Sequence, residues 1–104
     1  MNHHYYVYIV ANRPNGVLYT RVTRDLVRRV WQHRTGIGGE FTARYHCYLL
    51  VMYEAFRDPY NAITREKQIK AGSRQKKLKL IERVNPEWRD LYEDLGLPLT
   101  KSPS

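Results

Sequence analysis

The sequence is poor in cysteine, in acidic residues and in long apolar runs. Cys47 is its one cysteine, so the chain can form no internal disulfide and no cysteine-rich zinc module. No apolar run approaches the roughly 20 residues that a membrane-spanning helix needs. The N-terminus lacks the cationic region and long apolar run of a secretory signal. These shortages predict a cytoplasmic protein with no membrane partner.

The length fits a single domain with a modest core. The chain has 104 residues, and domains commonly have about 100–150. Apolar residues make up 42% of the sequence, which excludes a disordered polyelectrolyte. We assign residues 1–98 to one domain. Residues 99–104, which follow Gly96 and Pro98, are predicted to be a flexible tail.

The scarcity of acidic residues leaves a strongly basic chain. Lysine and arginine total 18 against 10 acidic residues, for a net charge of +8. Such an excess favours a polyanionic partner, most often nucleic acid, and solubility alone is the alternative explanation. The densest basic run surrounds the Gly72-Ser73 break. It is predicted to track phosphates through Lys70, Arg74, Lys76, Lys77 and Lys79.

The first half of the chain predicts a hairpin and a helix. Residues 5–11 and 17–22 are rich in β-branched and aromatic side chains, which favours two strands joined by a turn. Thr23 is expected to cap a helix over residues 24–34. Residues 37–46 are predicted to form a loop.

The second half predicts one more strand and three helices. Residues 47–56 are mostly apolar, which indicates a strand that is central or covered on both faces. Asp58 precedes a proline and begins a helix over residues 59–71, and further helices follow over residues 74–84 and 85–92. The order β-β-α-β-α-α-α predicts an α+β fold, with a small three-stranded antiparallel sheet flanked by helices.

An acidic residue interrupts the apolar stripe of the helix predicted over residues 59–71. Glu66 shares that stripe with Ala62, Ile63 and Ile69, at spacings of three and four residues. A buried carboxylate is costly unless it is paired, hydrogen-bonded or bound to a metal. The alternatives are therefore a functional acid, a boundary residue, or a partner of a nearby arginine.

Two other features carry possible chemistry. Arg29 and His33 lie four residues apart, which puts them on one helix face, although charged runs of this kind usually form a solvated surface. The chain also has 9 tyrosines, including Tyr8 and Tyr19 on the two hairpin strands. Most are expected to be packing residues with a hydrated hydroxyl. Nearby cations or a metal could enable such a phenol to relay a proton.

The ordered motifs resemble those of the GIY-YIG nuclease superfamily, over about residues 5–95. More narrowly, the chain is similar to short single-domain bacterial members that are homing-endonuclease-like proteins of uncharacterised role. Each motif is weak alone, and the ordered set is a strong signal for fold and ancestry. The motifs are Val7-Tyr8-Ile9, Tyr19-Thr20-Arg21, Arg29-x-x-x-His33, residues 39–45, residues 62–68 and residues 85–89.

The resemblance implies hydrolysis of DNA phosphodiester bonds with one divalent cation per site, Mg²⁺ or Mn²⁺. It implies that Glu66 holds the metal, which suits an oxygen ligand for a hard cation. It also implies that Arg29 stabilises the negative charge that develops on phosphate. No small-molecule cofactor is expected, and the chain is expected to be a monomer or a weak dimer.

The same resemblance assigns roles in proton transfer. Tyr8 and Tyr19 would orient or deprotonate the attacking water. His33 would hydrogen-bond a tyrosine or that water and assist the transfer. Asn85 is the candidate for the late polar residue of the family, although it also fits as a helix N-cap.

Two rival functions remain beside the nuclease: a catalytically inactive DNA-binding module of the same fold, and a basic interaction protein with an incidental match.

The predicted nucleic-acid contacts are all basic side chains. The predicted DNA-binding residues are Arg21, Arg28, Arg44, Lys70, Arg74, Lys76 and Lys77.

The second motif departs from the family pattern, which has glycine where Arg21 stands. Arg21 could fill the site and abolish cleavage, bend outward and bind phosphate, or displace the metal by pairing with Glu66. Val7 for the glycine of the first motif is a milder change. For Tyr8 and Tyr19 to share a face, the hairpin must pair residues whose numbers sum to an odd value.

Overall fold

The computed structural model describes residues 4–36 and 40–95. The predicted tail over residues 99–104 lies outside these ranges, as do residues 37–39 of the predicted loop. The described part contains no helix long and apolar enough to cross a membrane.

The centre of the fold is a three-stranded antiparallel sheet, as predicted. Its strands are β1 (Tyr5–Ala11), β2 (Leu18–Thr23) and β3 (Leu49–Phe56), in the spatial order β2-β1-β3. The central strand is therefore β1, and β3 lies at an edge. The apolar sequence of β3 reflects cover on both faces rather than a central position, because its residues pack into cores on both sides of the sheet.

The register of the hairpin places both motif tyrosines on one face. Tyr8 pairs with Arg21, and Tyr19 pairs with Val10, so the paired numbers sum to an odd value as the two-tyrosine site requires. A β-bulge interrupts the pairing of β1 with β3 between Ile9 and Val10. Tyr8, Tyr19 and Arg21 consequently point to the same side of the sheet.

Within residues 4–36 and 40–95, four helices and one 3₁₀ turn surround the sheet. Helix α1 spans Leu26–Thr35 and is capped by Asp25, not by Thr23, because the Asp25 carboxylate accepts from the backbone N–H of Arg28. Helix α2 spans Glu40–Tyr45, where the sequence predicted only loop. This helix has 6 residues, too few for a periodic apolar pattern to be visible.

The helices predicted over residues 59–71 and 74–84 follow the sequence patterns closely, and residues 85–92 do not. Helices α3 (Pro59–Ala71) and α4 (Arg74–Val84) have the predicted bounds. The helix predicted over residues 85–92 is instead a turn followed by a 3₁₀ turn at Leu91–Asp94. Trp88 has a φ of 56°, which interrupts any continuous right-handed helix there.

The sheet separates two apolar cores. One face packs against α3 and α4 through residues such as Ile9, Ala62 and Ile81. The other face packs against α1, where Tyr8, Val10, Leu26, Val30, Cys47 and Leu50 form the core. The chain is thus a layered α+β domain, and α1 and α3 lie on opposite sides of the sheet.

The hairpin turn is fixed by contacts within it and by a contact from α4. The side-chain oxygen of Asn12 accepts from the Val17 N–H at 2.8 Å, and Gly16 donates to the Arg13 carbonyl at 2.9 Å. The Arg74 guanidinium donates to the carbonyls of Asn15 and Gly16 at 2.6 and 2.8 Å. The predicted phosphate contact Arg74 is therefore committed to the fold.

Substitution of Gly16 is expected to loosen this turn. A Cβ there would lie 2.0 Å from the Asn12 side-chain oxygen and 3.0 Å from the Arg13 carbonyl, so the Asn12 bond to Val17 must break. We expect Gly16→Ala to lower the free energy of unfolding by about 1–3 kcal/mol, measured by urea denaturation. The control Gly72→Ala meets nothing closer than 3.4 Å and should change it much less. Equal losses in the two variants would contradict this account.

Candidate active site

A buried tyrosine–histidine pair forms the centre of the site. Tyr8 lies in the middle of β1, and His33 lies in the last turn of α1. The Tyr8 hydroxyl is 2.9 Å from Nε2 of His33, and the two ring centroids are 5.7 Å apart. Both residues are buried, at 0% and 3% exposure. The solvated surface considered for the Arg29–His33 run therefore does not describe His33.

Burial keeps both members of this pair neutral, and neighbouring arginines reinforce the neutral form of His33 only. Burial, together with the positive charges of Arg29 and Arg21, lowers the pKa of His33 to about 4. Burial raises the pKa of Tyr8, and the positive charge of Arg29 partly offsets that rise. At pH 7 the phenol keeps its proton, and the imidazole is uncharged.

Tyr19 and Arg21 lie beside the Tyr8–His33 pair, nearer to solvent. The Tyr19 ring meets the His33 ring edge-on, with 5.8 Å between centroids, and Tyr19 is half-buried. The exposed Arg21 places Nη1 3.4 Å from the Tyr19 hydroxyl and lies directly across the ladder from Tyr8. The Arg21 side chain thus lies next to Tyr19 at the protein surface and is not buried.

Arg29 is the second guanidinium of the site. It is partly buried on α1, and its Nη1 donates to the side-chain oxygen of Gln32 at 2.6 Å. Sequence reasoning missed Gln32, although a spacing of three residues on a helix is the signal for such a pair. Gln32 holds the Arg29 guanidinium close to Tyr8 and His33.

Glu66 lies in the other layer of the fold. It is buried on α3 between Ala62 and Ile69, and its carboxylate forms an ion pair with Lys70 at 2.9 Å. The partner is thus a lysine one turn away, neither the arginine considered from the sequence nor Arg21. The described contacts join Tyr8, Tyr19, Arg29 and His33, and they do not include a contact from Glu66 to these four.

Asn85 is engaged elsewhere. Its side-chain amide donates to the carbonyls of Val51 and Arg89 at 3.1 and 2.9 Å, and its oxygen accepts from the Arg89 N–H at 3.0 Å. These bonds close the turn after α4. They account for a buried asparagine without chemistry, and its place in the site stays a prediction.

The predicted DNA contacts divide into exposed and committed side chains. Lys77 donates to the carbonyls of Lys70 and Gly72, as Arg74 does to the hairpin turn, so both hold backbone together. Lys70 balances Glu66. The remaining predicted contacts are exposed, namely Arg21, Arg28, Arg44 and Lys76.

The donor set fits a hard cation held by one protein ligand. Among residues 4–36 and 40–95, no three His, Cys, Asp or Glu side chains converge as a metal cage. Mg²⁺ is commonly bound through one or two carboxylates, with water and substrate phosphate as the other ligands. The Glu66 side chain is 11% exposed, and a neighbouring ammonium balances its charge. Glu66 could supply the one carboxylate of such a site by exchanging its ion pair with Lys70 for the cation.

Comparison with known proteins places this geometry in a family. The model of the GIY-YIG catalytic domain matches residues 4–79. The chain is 42% identical over 77 residues to a UPF0213 protein of Staphylococcus saprophyticus, covering 74% of this chain and 93% of that protein. It is 40% identical over 82 residues to a UPF0213 protein of Haloquadratum walsbyi, covering 79% and 91%.

A solved structure has the same fold. The solution NMR structure of a UPF0213 protein from Bacillus halodurans superposes with a TM-score of 0.55 at 30% identity. The match covers 89% of this chain and 97% of that one. The antiparallel sheet flanked by helices, predicted from the sequence, is thereby confirmed.

The low pKa of His33 predicts a pH dependence of stability. Between its ordinary value of 6.5 and about 4, the unfolded chain binds a proton that folded His33 does not. The free energy of unfolding should therefore fall as pH falls through this window, by at most about 3 kcal/mol from this residue. Urea denaturation across the window should show a steeper fall for wild type than for His33→Gln.

The control for this measurement is the exposed His46. We expect His46→Asn to fold, because asparagine tolerates the φ of 56° at that position. We also expect this variant to keep the wild-type slope of stability against pH. Identical slopes in wild type and His33→Gln would show that His33 titrates normally in the folded chain.

Proposed function

The chain belongs to the GIY-YIG family, among its short UPF0213 members, and from this premise we propose that it is a divalent-metal-dependent DNA endonuclease. The observation that carries the proposal is the Tyr8–His33 hydrogen bond with Arg29 and Tyr19 beside it. These side chains come from both hairpin strands and from α1, so chain proximity alone does not explain their meeting. The net charge of +8 supports a polyanionic substrate.

Burial divides the two tyrosines between two roles. Tyr19 is half-buried and is the phenol that reaches an attacking water. Tyr8 has no exposed surface, so it acts through His33 by holding the imidazole in place. This refines the sequence-based expectation, in which both phenols addressed the water.

The proposed reaction is attack of water on phosphorus. The Tyr19 hydroxyl orients the water, and the neutral imidazole of His33, held by Tyr8, receives the proton that the water loses. The bond from phosphorus to the leaving oxygen breaks, and that oxygen takes a proton from solvent. Arg29 stabilises the charge on the phosphoryl oxygens. Glu66 would hold the metal ion, which when bound supplies Lewis-acid polarisation of the phosphate.

Arg21 favours a second candidate, an inactive DNA-binding module of the same fold. Its guanidinium is 3.4 Å from the Tyr19 hydroxyl, and a glycine would leave that space to water. The same exposed cation can equally contact a phosphate of the substrate. Wild-type cleavage decides between the two functions.

Removal of the Glu66 charge tests the nuclease directly. In a nicking assay on supercoiled and branched DNA with Mg²⁺ or Mn²⁺, we expect Glu66→Gln to lose about 100-fold or more in rate. The matched control Glu82→Gln makes the same change on an exposed face of α4 and should nick like wild type. Thermal melts would verify that both variants fold. Wild-type rates in folded Glu66→Gln would remove Glu66 from the mechanism.

Substitution of Arg21 separates the two candidate functions. If the enzyme is active, we expect Arg21→Gly to nick and to need several-fold more DNA for half-maximal rate, because one phosphate contact is lost. Cleavage by Arg21→Gly from a silent wild type would instead identify a site that this side chain blocks. Salt-sensitive DNA binding without cleavage by either protein would also favour the inactive module.

A further inference from the structure

A basic groove lies between α3 and α4, outside the site described above. Its volume is about 400 Å³, and its apolar floor includes Ile69 and Leu80. No acidic residue is among the described residues that line it. The lining cations are Arg65, Lys76, Lys77, Lys79 and Arg83.

The partners of these cations show which of them retain charge for a ligand. Arg65 donates to both carboxylate oxygens of Glu54, at 2.8 and 3.1 Å, so its charge is balanced. Lys77 is held by two carbonyls, which orient the ammonium and leave its charge uncompensated. Over the described ranges, no side-chain hydrogen bond or ion pair engages Lys76, Lys79 or Arg83.

The three unpaired cations form a line. Lys76, Lys79 and Arg83 are spaced by three and four residues, so they share one face of α4 and are all exposed. Seven residues of helix advance about 10 Å along its axis. One DNA strand advances about 3.4 Å per phosphate along the duplex axis, so this length matches about three steps from one phosphate to the next.

The groove also lies beside the predicted metal ligand. Arg65 and Ile69 line it from α3, and Glu66 follows Arg65 by one residue, about 100° further around the helix. A duplex with its scissile phosphate near Glu66 could therefore continue along this groove.

We propose that the groove binds the sugar-phosphate backbone of duplex DNA, at phosphates other than the one that is cleaved. In naming the substrate flank, this inference rests on the proposed function. Lys76, Lys79 and Arg83 place three positive charges at nearly even spacing along a line, and the phosphates of a DNA strand are evenly spaced negative charges. The surrounding segment strengthens the match, because residues 58–81 carry 7 basic and 2 acidic side chains.

The test is the salt dependence of DNA binding without metal. Fluorescence anisotropy with a labelled duplex gives the slope of log affinity against log salt concentration. We expect the triple variant Lys76→Gln, Lys79→Gln and Arg83→Gln to flatten this slope by about 2–3, since each phosphate contact contributes about 0.9. Its affinity at moderate salt should fall at least tenfold.

The control removes the same charge elsewhere. Arg13, Arg57 and Lys67 are exposed and do not line the groove, and their triple replacement by glutamine should change the slope by less than about 1. Equal flattening in both triple variants would mean that only net charge matters and would overturn the proposal. If the groove triple variant does not fold, Lys79→Gln alone should flatten the slope by about 1, and an unchanged slope would overturn it.

The design distinguishes failure of the groove from failure of the nuclease. Groove-dependent binding by a wild type that never nicks would retain the groove and reject the enzyme. Metal-dependent nicking with an unaltered salt slope in the triple variant would reject the groove alone. Unaltered DNA binding with lost binding to polyglutamate would assign the groove to an acidic protein segment and overturn the proposal.

Discussion

The antiparallel register of β1 against β2 is the constraint on which the candidate site depends. With Ile9 opposite Thr20, every second residue of each strand faces α1, and both motif tyrosines are among them. A slip of one residue along β2 would turn Tyr19 towards α3 and leave Tyr8 without its neighbour. The turn between the strands is held from within by Asn12 and from outside by Arg74, so the start of α4 helps to fix a site on the far side of the sheet.

The position of β2 explains how two layers could serve one reaction. Tyr8, Arg29 and His33 lie on the α1 side of the sheet, and Glu66 lies on the α3 side. Only an edge strand offers access from both sides without passing through the sheet, and β2 is such a strand. Helix α3 contacts both β1 and β2, which brings the Glu66 layer against this edge. A substrate phosphate at β2 is therefore the simplest way for both groups to act together.

The sequence predicted the helices and strands better than it predicted the burial and neighbours of their residues. Caps and breakers are local, so the bounds of α3 and α4 were confirmed, whereas α2 is too short to show a period. The apolar run of β3 predicted a strand that is central or covered on both faces, and only the structure shows that the second alternative holds, because such a run carries no information on neighbouring strands. Burial of His33 was equally invisible, since its helix neighbours are mostly charged. The sequence shows that Tyr8 and Tyr19 share a face only if paired residue numbers of the hairpin sum to an odd value. Only the structure shows that β1 and β2 pair in this register.

Charge patterns have the same limit. The run after Gly72 looks uniform in sequence, yet Arg74 and Lys77 donate to backbone carbonyls, whereas Lys76 has no side-chain partner among the described contacts. Lys77 donates to backbone carbonyls at the end of a helix, and Lys76 keeps its charge available for an anion. The difference lies in the groups within hydrogen-bond distance of each ammonium, and the packing of α3 and α4 determines those groups.

The two arginines beside His33 connect its pKa to the proposed substrate. Arg29 and Arg21 both lower the pKa of the imidazole, and both are placed to meet a phosphate. A bound phosphate would offset their charge, so the pKa of His33 would rise towards its ordinary value. In the proposed reaction the imidazole would thus become a better proton acceptor only when substrate is present. The two arginines, which act beside burial to keep His33 neutral, would then be the groups through which a bound phosphate raises its pKa.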